Sequence, residues 1–129
     1  MQIYIVGATG LVGNEILKLL ENYRFQDINF IASSQSAGKE ITFKDSKFII
    51  KDFDSITDFS NSIFINCSSS KLGTDIYNKI SNKSILIDNS SALRLKKEVP
   101  LVVPHINYPE IKSSVFANPN CSTIILACL

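Results

Sequence analysis

Short apolar runs rich in β-branched residues alternate along the chain with stretches whose apolar residues recur at helical spacing. Gln2–Val6 reads as a first strand, and a glycine-rich turn follows at once. Val12, Ile16, Leu19 and Leu20 then recur as one face of a helix, which predicts an amphipathic helix to about Asn22. Ile28–Ala32 predicts a second strand and Ser33–Lys39 a loop, while Glu40–Phe43 and Lys47–Lys51 read as a hairpin or as edge strands. Ile63–Asn66 is an apolar strand, Leu72, Ile76 and Ile80 mark the next helix, and Ser84–Asp88 is another strand. Val99–Val103 is a further extended piece, Val115–Ala117 a short strand, and an apolar helix opens at Ser122. No repeat or linker interrupts the series, so residues 1–129 form one domain. The alternation argues for an α/β fold, a mostly parallel sheet with helices on both faces. The last helix meets Leu129 among apolar residues with no glycine cap, proline or polar tail, so the sequence is expected to be cut off there.

Composition narrows the function classes. At 129 residues, with 45% hydrophobic and 19% charged residues, the chain has the make-up of an ordinary globular domain. A formal net charge of +1 gives no electrostatic case for nucleic acid or an anionic membrane. The longest apolar run falls far short of the about 20 residues that span a bilayer. The N-terminus lacks the basic stretch and apolar run of a signal peptide, which predicts a cytoplasmic protein. Cys67, Cys121 and Cys128 are too few and too scattered for a disulfide framework, and His105 is the only histidine, so no zinc site is expected. Each thiol is therefore judged by its surroundings. Cys67 and Cys128 read as inert packing, Cys128 because it lies amid Ile124, Ile125, Leu126 and Leu129.

Gly7-Ala8-Thr9-Gly10-Leu11-Val12-Gly13 follows a strand and opens a helix, the context in which this glycine spacing binds a dinucleotide. Gly7 permits the tight turn, Gly10 lets the backbone approach a pyrophosphate, and Gly13 lets the helix lie close to the strand. The first helical N–H groups supply donors and partial positive charge. This predicts a Rossmann-like, doubly wound sheet; the plainer alternative is a tight turn without a ligand. NAD enzymes usually place an acid about 20 residues beyond such a loop. Here the second strand runs into Ser33-Ser34-Gln35-Ser36-Ala37-Gly38-Lys39, whose hydroxyls and lysine suit a 2′-phosphate or form a plain solvated loop. NADP is favoured over NAD.

Asn118-Pro119-Asn120-Cys121-Ser122-Thr123 lies between a short strand and an apolar helix. A thiolate at a helix start is stabilised by backbone N–H groups and the helix dipole, which favours nucleophilic chemistry. The amide of Asn120 is placed to hold an oxyanion on an attacked carbonyl. The other reading of Cys121 is a buried packing thiol.

Three segments together resemble aspartate-semialdehyde dehydrogenase, over essentially the whole chain: Gly7–Gly13, Asp88–Arg94 with Val99–Pro104, and Ala117–Ile124. Ser36-Ala37-Gly38-Lys39 resembles the family's loop after the second strand. The resemblance implies that Cys121 forms a thioester with Asn120 beside it, and that Arg94 holds the phosphate, as a planar guanidinium fork does well. It places Thr9, Gly10, Leu11 and Val12 at the cofactor pyrophosphate, Ser34, Gln35 and Ser36 near the adenosine 2′-phosphate, and Ser68, Ser69 and Ser70 on the nicotinamide side. The implied reaction interconverts L-aspartate 4-semialdehyde and 4-phospho-L-aspartate with NADP and phosphate, in an enzyme that works as a homo-oligomer. Gln35 stands where the family often has arginine, which leaves NAD possible. Asn66–Ser70 replaces a small Gly- or Ala-rich turn. His105 stands where an acid is usual and reads as a structural or exposed histidine. The family's catalytic histidine, its substrate-carboxylate ligands and its dimerisation region follow the nucleophile, so residues 1–129 alone are expected to bind nucleotide and not to turn over. N-acetyl-γ-glutamyl-phosphate reductase shares the Gly-Ala-Thr-Gly loop but typically has glycine before its cysteine. The remaining alternative is a non-catalytic NADP(H)-binding module.

Overall fold

The computed structural model describes residues 1–80, 83–107 and 113–129. In chain order the first elements are β1 (Gln2–Val6), α1 (Leu11–Leu20), β2 (Ile28–Ala32), β3 (Glu40–Phe43), β4 (Ser46–Ile49) and β5 (Lys51–Asp52). A 3-10 turn at Phe53–Ser55 leads to β6 (Ser62–Asn66), α2 (Ser70–Lys79), β7 (Ile85–Asp88), α3 (Pro104–Asn107), β8 (Val115–Ala117) and α4 (Cys121–Ala127). Six strands make one sheet in the order β5-β2-β1-β6-β7-β8, and every pairing in it is parallel. The chain winds outward from β1 through β2 and β5, then returns to β6 on β1's other side. That reversal makes a doubly wound sheet and opens a crevice at the strands' carboxyl ends.

Alternation along β1 divides the core between the two faces. Tyr4 and Val6 pack with Phe53, Phe59, Phe64 and the α2 residues Leu72 and Ile76. Tyr4 and Phe59 each stack on Phe64, with ring centroids 4.7 and 5.3 Å away. On the opposite face Ile5 packs with Leu17 of α1, Phe30 of β2 and Phe43 of β3. Phe30 meets Phe43 and Phe48 edge-on, the geometry that aromatic quadrupoles favour.

The buried stripe of α1 differs from the one the spacing predicts. Gly13 and Leu17 are buried and Ile16 and Leu20 half-buried, whereas Val12 and Leu19 are 51% and 70% exposed. Close packing of Gly13 on the glycine turn sets the helix rotation and carries those two side chains outward. The stretch expected as a hairpin or edge strands is an antiparallel β3–β4 hairpin plus an edge strand, since Lys51 belongs to β5 and pairs with Ile31 of β2. Lys44 and Asp45, both at positive φ, form the two-residue turn. The Val99–Val103 piece lies beside β8, with Leu101 bridged to Ala117 and the Val102 N–H donated to the Ala117 carbonyl at 2.9 Å. Cys128, expected to be buried, is exposed beside Ile125 and Leu126, because no other described element covers that face of α4. Among the described residues no helix is long and apolar enough to cross a membrane.

Candidate functional site

Parallel register aligns the ends of four adjacent strands, with Val6, Asn66, Asp88 and Ala117 in one row. The residue after each continues the ladder. Gly7 donates its N–H to Ile31 at 2.8 Å, Cys67 to Val6 at 2.8 Å, Asn89 to Asn66 at 3.0 Å and Asn118 to Asp88 at 2.8 Å. Gly7, Cys67, Asn89 and Asn118 thus open four loops on one edge of the sheet, where open α/β sheets bind their ligands.

The first loop is shaped by absent side chains. Gly7 has φ +84°, a left-handed conformation that favours glycine, and a Cβ there would lie 2.8 Å from Ser68 Cβ. A Cβ on Gly13 would stand 2.3 Å from the Gly7 carbonyl oxygen. Gly10 begins α1 without any side-chain cap, so the first-turn N–H groups stay available to an anion. Beside this loop lies a cleft of about 480 Å³. Gly7, Thr9 and Gly10 line it, with Ser33, Ser34 and Ser36 beyond β2 and Cys67, Ser68 and Ser69 beyond β6. The glycine cradle and the open helix start fit a dinucleotide pyrophosphate.

Leu11, Val12, Gly13, Gln35 and Ser70 do not line the cleft. Leu11 is 89% exposed, Gln35 is exposed, Gly13 is buried in the helix contact, and Ser70 Oγ pairs with Ser91 Oγ at 3.0 Å. Conversely, Asp52, Asp54 and Lys71 line it without having been singled out in the sequence. Asp52 arrives on a two-residue strand whose pairing with β2 no periodicity announces, and Asp54 on the 3-10 turn that follows it.

A buried polar cluster holds the loops after β6 and β7. Asn66 Oδ1 accepts from the Ser68 N–H at 3.1 Å and from Ser68 Oγ at 2.6 Å, while Asn66 Nδ2 donates to Asp88 Oδ1 at 2.7 Å. Asp88 also accepts from Ser90 N and Ser90 Oγ. Burial pushes the Cys67 thiol up to about 12, against the opposing hydrogen bond from Asn89, so it stays protonated at neutral pH.

Cys121 stands in a different setting. It is exposed at the start of α4, and its Sγ donates to Asn120 Oδ1 at 3.4 Å. The same oxygen caps the helix, accepting from Ser122 N at 3.1 Å and Ser122 Oγ at 2.9 Å. Asn120 Nδ2 has no partner among the described residues. Half-buried Arg94 donates from Nε to the Asn118 carbonyl at 2.9 Å and from Nη2 to the Asn89 carbonyl at 3.0 Å. One edge of the guanidinium is therefore filled by backbone oxygens. The end of the fork at Nη1 has no partner among the described residues. His105 is exposed on α3.

Comparison with known proteins agrees with this geometry. The family described as semialdehyde dehydrogenase, NAD binding domain, matches residues 2–114. The chain is 38% identical to the aspartate-semialdehyde dehydrogenases of Synechocystis sp. and of Campylobacter jejuni, over 98% and 95% of its own length. It spans 39% and 38% of those two proteins, about two fifths of the curated relatives it matches. Among solved structures, aspartate semialdehyde dehydrogenase II from Vibrio cholerae superposes with a TM-score of 0.82 at 30% identity, over 97% of this chain and 39% of that one. The same enzyme complexed with ASA gives a TM-score of 0.80 at 30% identity, over 98% of this chain and 44% of that one.

Proposed function

Since the chain belongs to the semialdehyde dehydrogenase family, as its NAD-binding domain, we propose that residues 1–129 bind the cofactor and carry the nucleophile of an NADP-dependent aspartate-semialdehyde dehydrogenase. The observation that supports this most is the shared sheet edge. The Gly7 turn after β1 and the Asn118–Cys121 turn after β8 leave this same edge, with the loops after β6 and β7 between them, so a cofactor in the cleft and a substrate at the thiol approach from one side.

In the reductive direction the Cys121 thiolate attacks the acyl carbon of 4-phospho-L-aspartate. The carbon–oxygen bond to phosphate breaks, phosphate leaves with the electron pair, and a thioester remains on Cys121. Asn120 Nδ2, free of internal partners, donates to the oxyanion during the attack. Arg94 keeps one guanidinium edge on the Asn89 and Asn118 carbonyls and offers its Nη1 end to the departing phosphate. NADPH held in the cleft lined by Gly7, Thr9 and Gly10 would supply the hydride that reduces the thioester. Cys121 then leaves as thiolate and the 4-semialdehyde is released. Ser34 and Ser36 line the cleft and would offer hydroxyls to a 2′-phosphate, while Gln35 outside it adds no charge, which supports NADP as the preferred cofactor with NAD accepted more weakly.

The test is a steady-state assay of the intact protein with L-aspartate 4-semialdehyde, phosphate and NADP, following NADPH formation. Cys121→Ser is expected to lower kcat by about 10³-fold or more with nucleotide binding retained. Turnover of N-acetylglutamate semialdehyde alone assigns the reductase instead. Nucleotide binding with turnover of neither substrate leaves a binding module.

A further inference from the structure

Asn89 engages all four of its polar groups, and it does so in two directions. Its N–H and its Nδ2 both donate to the Asn66 carbonyl, at 3.0 and 2.9 Å, and Nδ2 also lies 3.9 Å from Cys67 Sγ. Toward the other side its Oδ1 accepts from Asn118 Nδ2 at 2.7 Å, and its carbonyl accepts from Arg94 Nη2 at 3.0 Å. Arg94 Nε closes the ring on the Asn118 carbonyl at 2.9 Å. On the first side lies the loop whose Cys67, Ser68 and Ser69 line the cleft, itself tied to Asn66 through Ser68. On the second side lies the turn that carries Asn120 and Cys121.

We infer that Asn89 is a positioning residue that fixes the Asn118–Cys121 turn relative to the dinucleotide cleft. This rests on the reading of Cys121 as nucleophile and adds a part that touches neither substrate nor cofactor. The physical reason is geometric. Backbone pairing of Asn118 to Asp88 sets the height of the turn on the sheet, but a single N–H bond leaves the turn free to pivot. The 2.7 Å side-chain bond from Asn118 to Asn89 supplies the second point, and the Arg94 bridge the third. Three points hold Asn118, and through the two-residue turn they set the position of Asn120, whose Oδ1 caps α4 beside the thiol. Removing the Asn89 acceptor releases one point and leaves Asn118 Nδ2 unpaired, while the Asn66 carbonyl retains the Asn89 backbone donor.

The experiment compares Asn89→Ala, Asn89→Asp and Asn118→Ala in the intact protein. Iodoacetamide labelling of Cys121 is read by peptide mass, beside NADP affinity by titration. Asn89→Ala is expected to slow Cys121 labelling about tenfold while NADP affinity stays within about twofold. Asn89→Asp keeps an acceptor for Asn118 and is expected to restore most of the rate. Asn118→Ala is expected to reproduce the loss from the opposite partner, and it serves as the deciding variant should Asn89→Ala fail to fold. Labelling unchanged or faster in the alanine variants, or lost in step with NADP affinity, overturns the inference. Because labelling requires no turnover, an inactive parent enzyme would refute the proposed reaction without touching this result.

Discussion

Arg94 Nε and the Asn118 carbonyl, 24 residues apart in sequence, meet at 2.9 Å, so the side chain we propose for phosphate binding is also a brace for the turn that carries Cys121. A lysine there keeps the charge but has no planar fork, and one ammonium cannot both span the Asn89 and Asn118 carbonyls and present a free end. Arg94→Lys is therefore expected to raise the KM for phosphate about tenfold or more and also to lower kcat. It should destabilise the fold by about 1–3 kcal/mol in urea melts, as two charge-assisted bonds are lost or weakened. A change in phosphate KM alone would mean that the two carbonyl bonds carry no mechanical role.

Gly13→Ala tests the cradle. Its Cβ would stand 2.3 Å from the Gly7 carbonyl oxygen and 2.7 Å from Ala8 Cα, both backbone atoms that cannot rotate away. The start of α1 must then lift off the glycine turn. A destabilisation of about 1–3 kcal/mol is expected by denaturant melt, together with weaker NADP binding by titration. Wild-type affinity in a stable Gly13→Ala protein would show that helix contact and pyrophosphate site are separable.

Much of this frame was legible in the chain because local rules carry it. β1, β2, β3 and β8 fall on their predicted runs, and the glycine turn joins β1 to α1 as its spacing implied. What escaped depends on tertiary contact. Val12 and Leu19 fit an apolar period, yet helix rotation is fixed by Gly13 against the turn, and both point outward. Lys44 and Asp45 adopt positive φ without the glycine that usually signals such a hairpin. Asn66 and Asp88 end two predicted strands and Ser90 follows the second, with nothing in the sequence to mark the three as partners. Only the pairing of β6 with β7 buries them as one hydrogen-bonded cluster against Gly73, where a Cβ would come within 2.9 Å of Asn66 Nδ2 and Asp88 Oδ1. Arg94 and the Cys121 turn were readable as motifs, but their joint bracing spans 24 residues and has no sequence signature.

The three thiols should separate by exposure and pH. Burial raises Cys67 from its ordinary value near 9 to about 12, so it resists alkylation at neutral pH, while exposed Cys121 and Cys128 label first. The sign of the stability effect follows. Between about pH 9 and about pH 12 the unfolded chain has released the Cys67 proton and the folded chain has not, so the unfolded state binds fewer protons. Stability from this group is complete below pH 9 and is lost as pH rises toward 12. Urea melts across that window should show a steeper loss for the parent than for Cys67→Ala. Parallel slopes would place the thiol in a far wetter site than its burial implies.

Charge in the cleft sets a further expectation about cofactor choice. Asp52 on the edge strand and Asp54 on the 3-10 turn after it line the cleft, and the cation among its lining residues is Lys71, which pairs with Asp75 at 2.7 Å. That pairing is the main reason the Lys71 ammonium holds its proton more tightly than usual, and Asp54 adds to it through space. Two carboxylates against one already paired ammonium disfavour an extra phosphate dianion, while the Ser34 and Ser36 hydroxyls favour it. Removing one carboxylate shifts that balance without touching the glycine turn. Asp54→Asn is expected to tighten NADP binding a few-fold and leave NAD nearly unchanged, with the gain shrinking as salt rises because these groups sit near solvent. Titrations with both nucleotides at low and high ionic strength decide it. An equal gain for NAD and NADP would mean that Asp54 acts on the adenine or on the loop's shape, and the serine hydroxyls alone would then account for any 2′-phosphate preference.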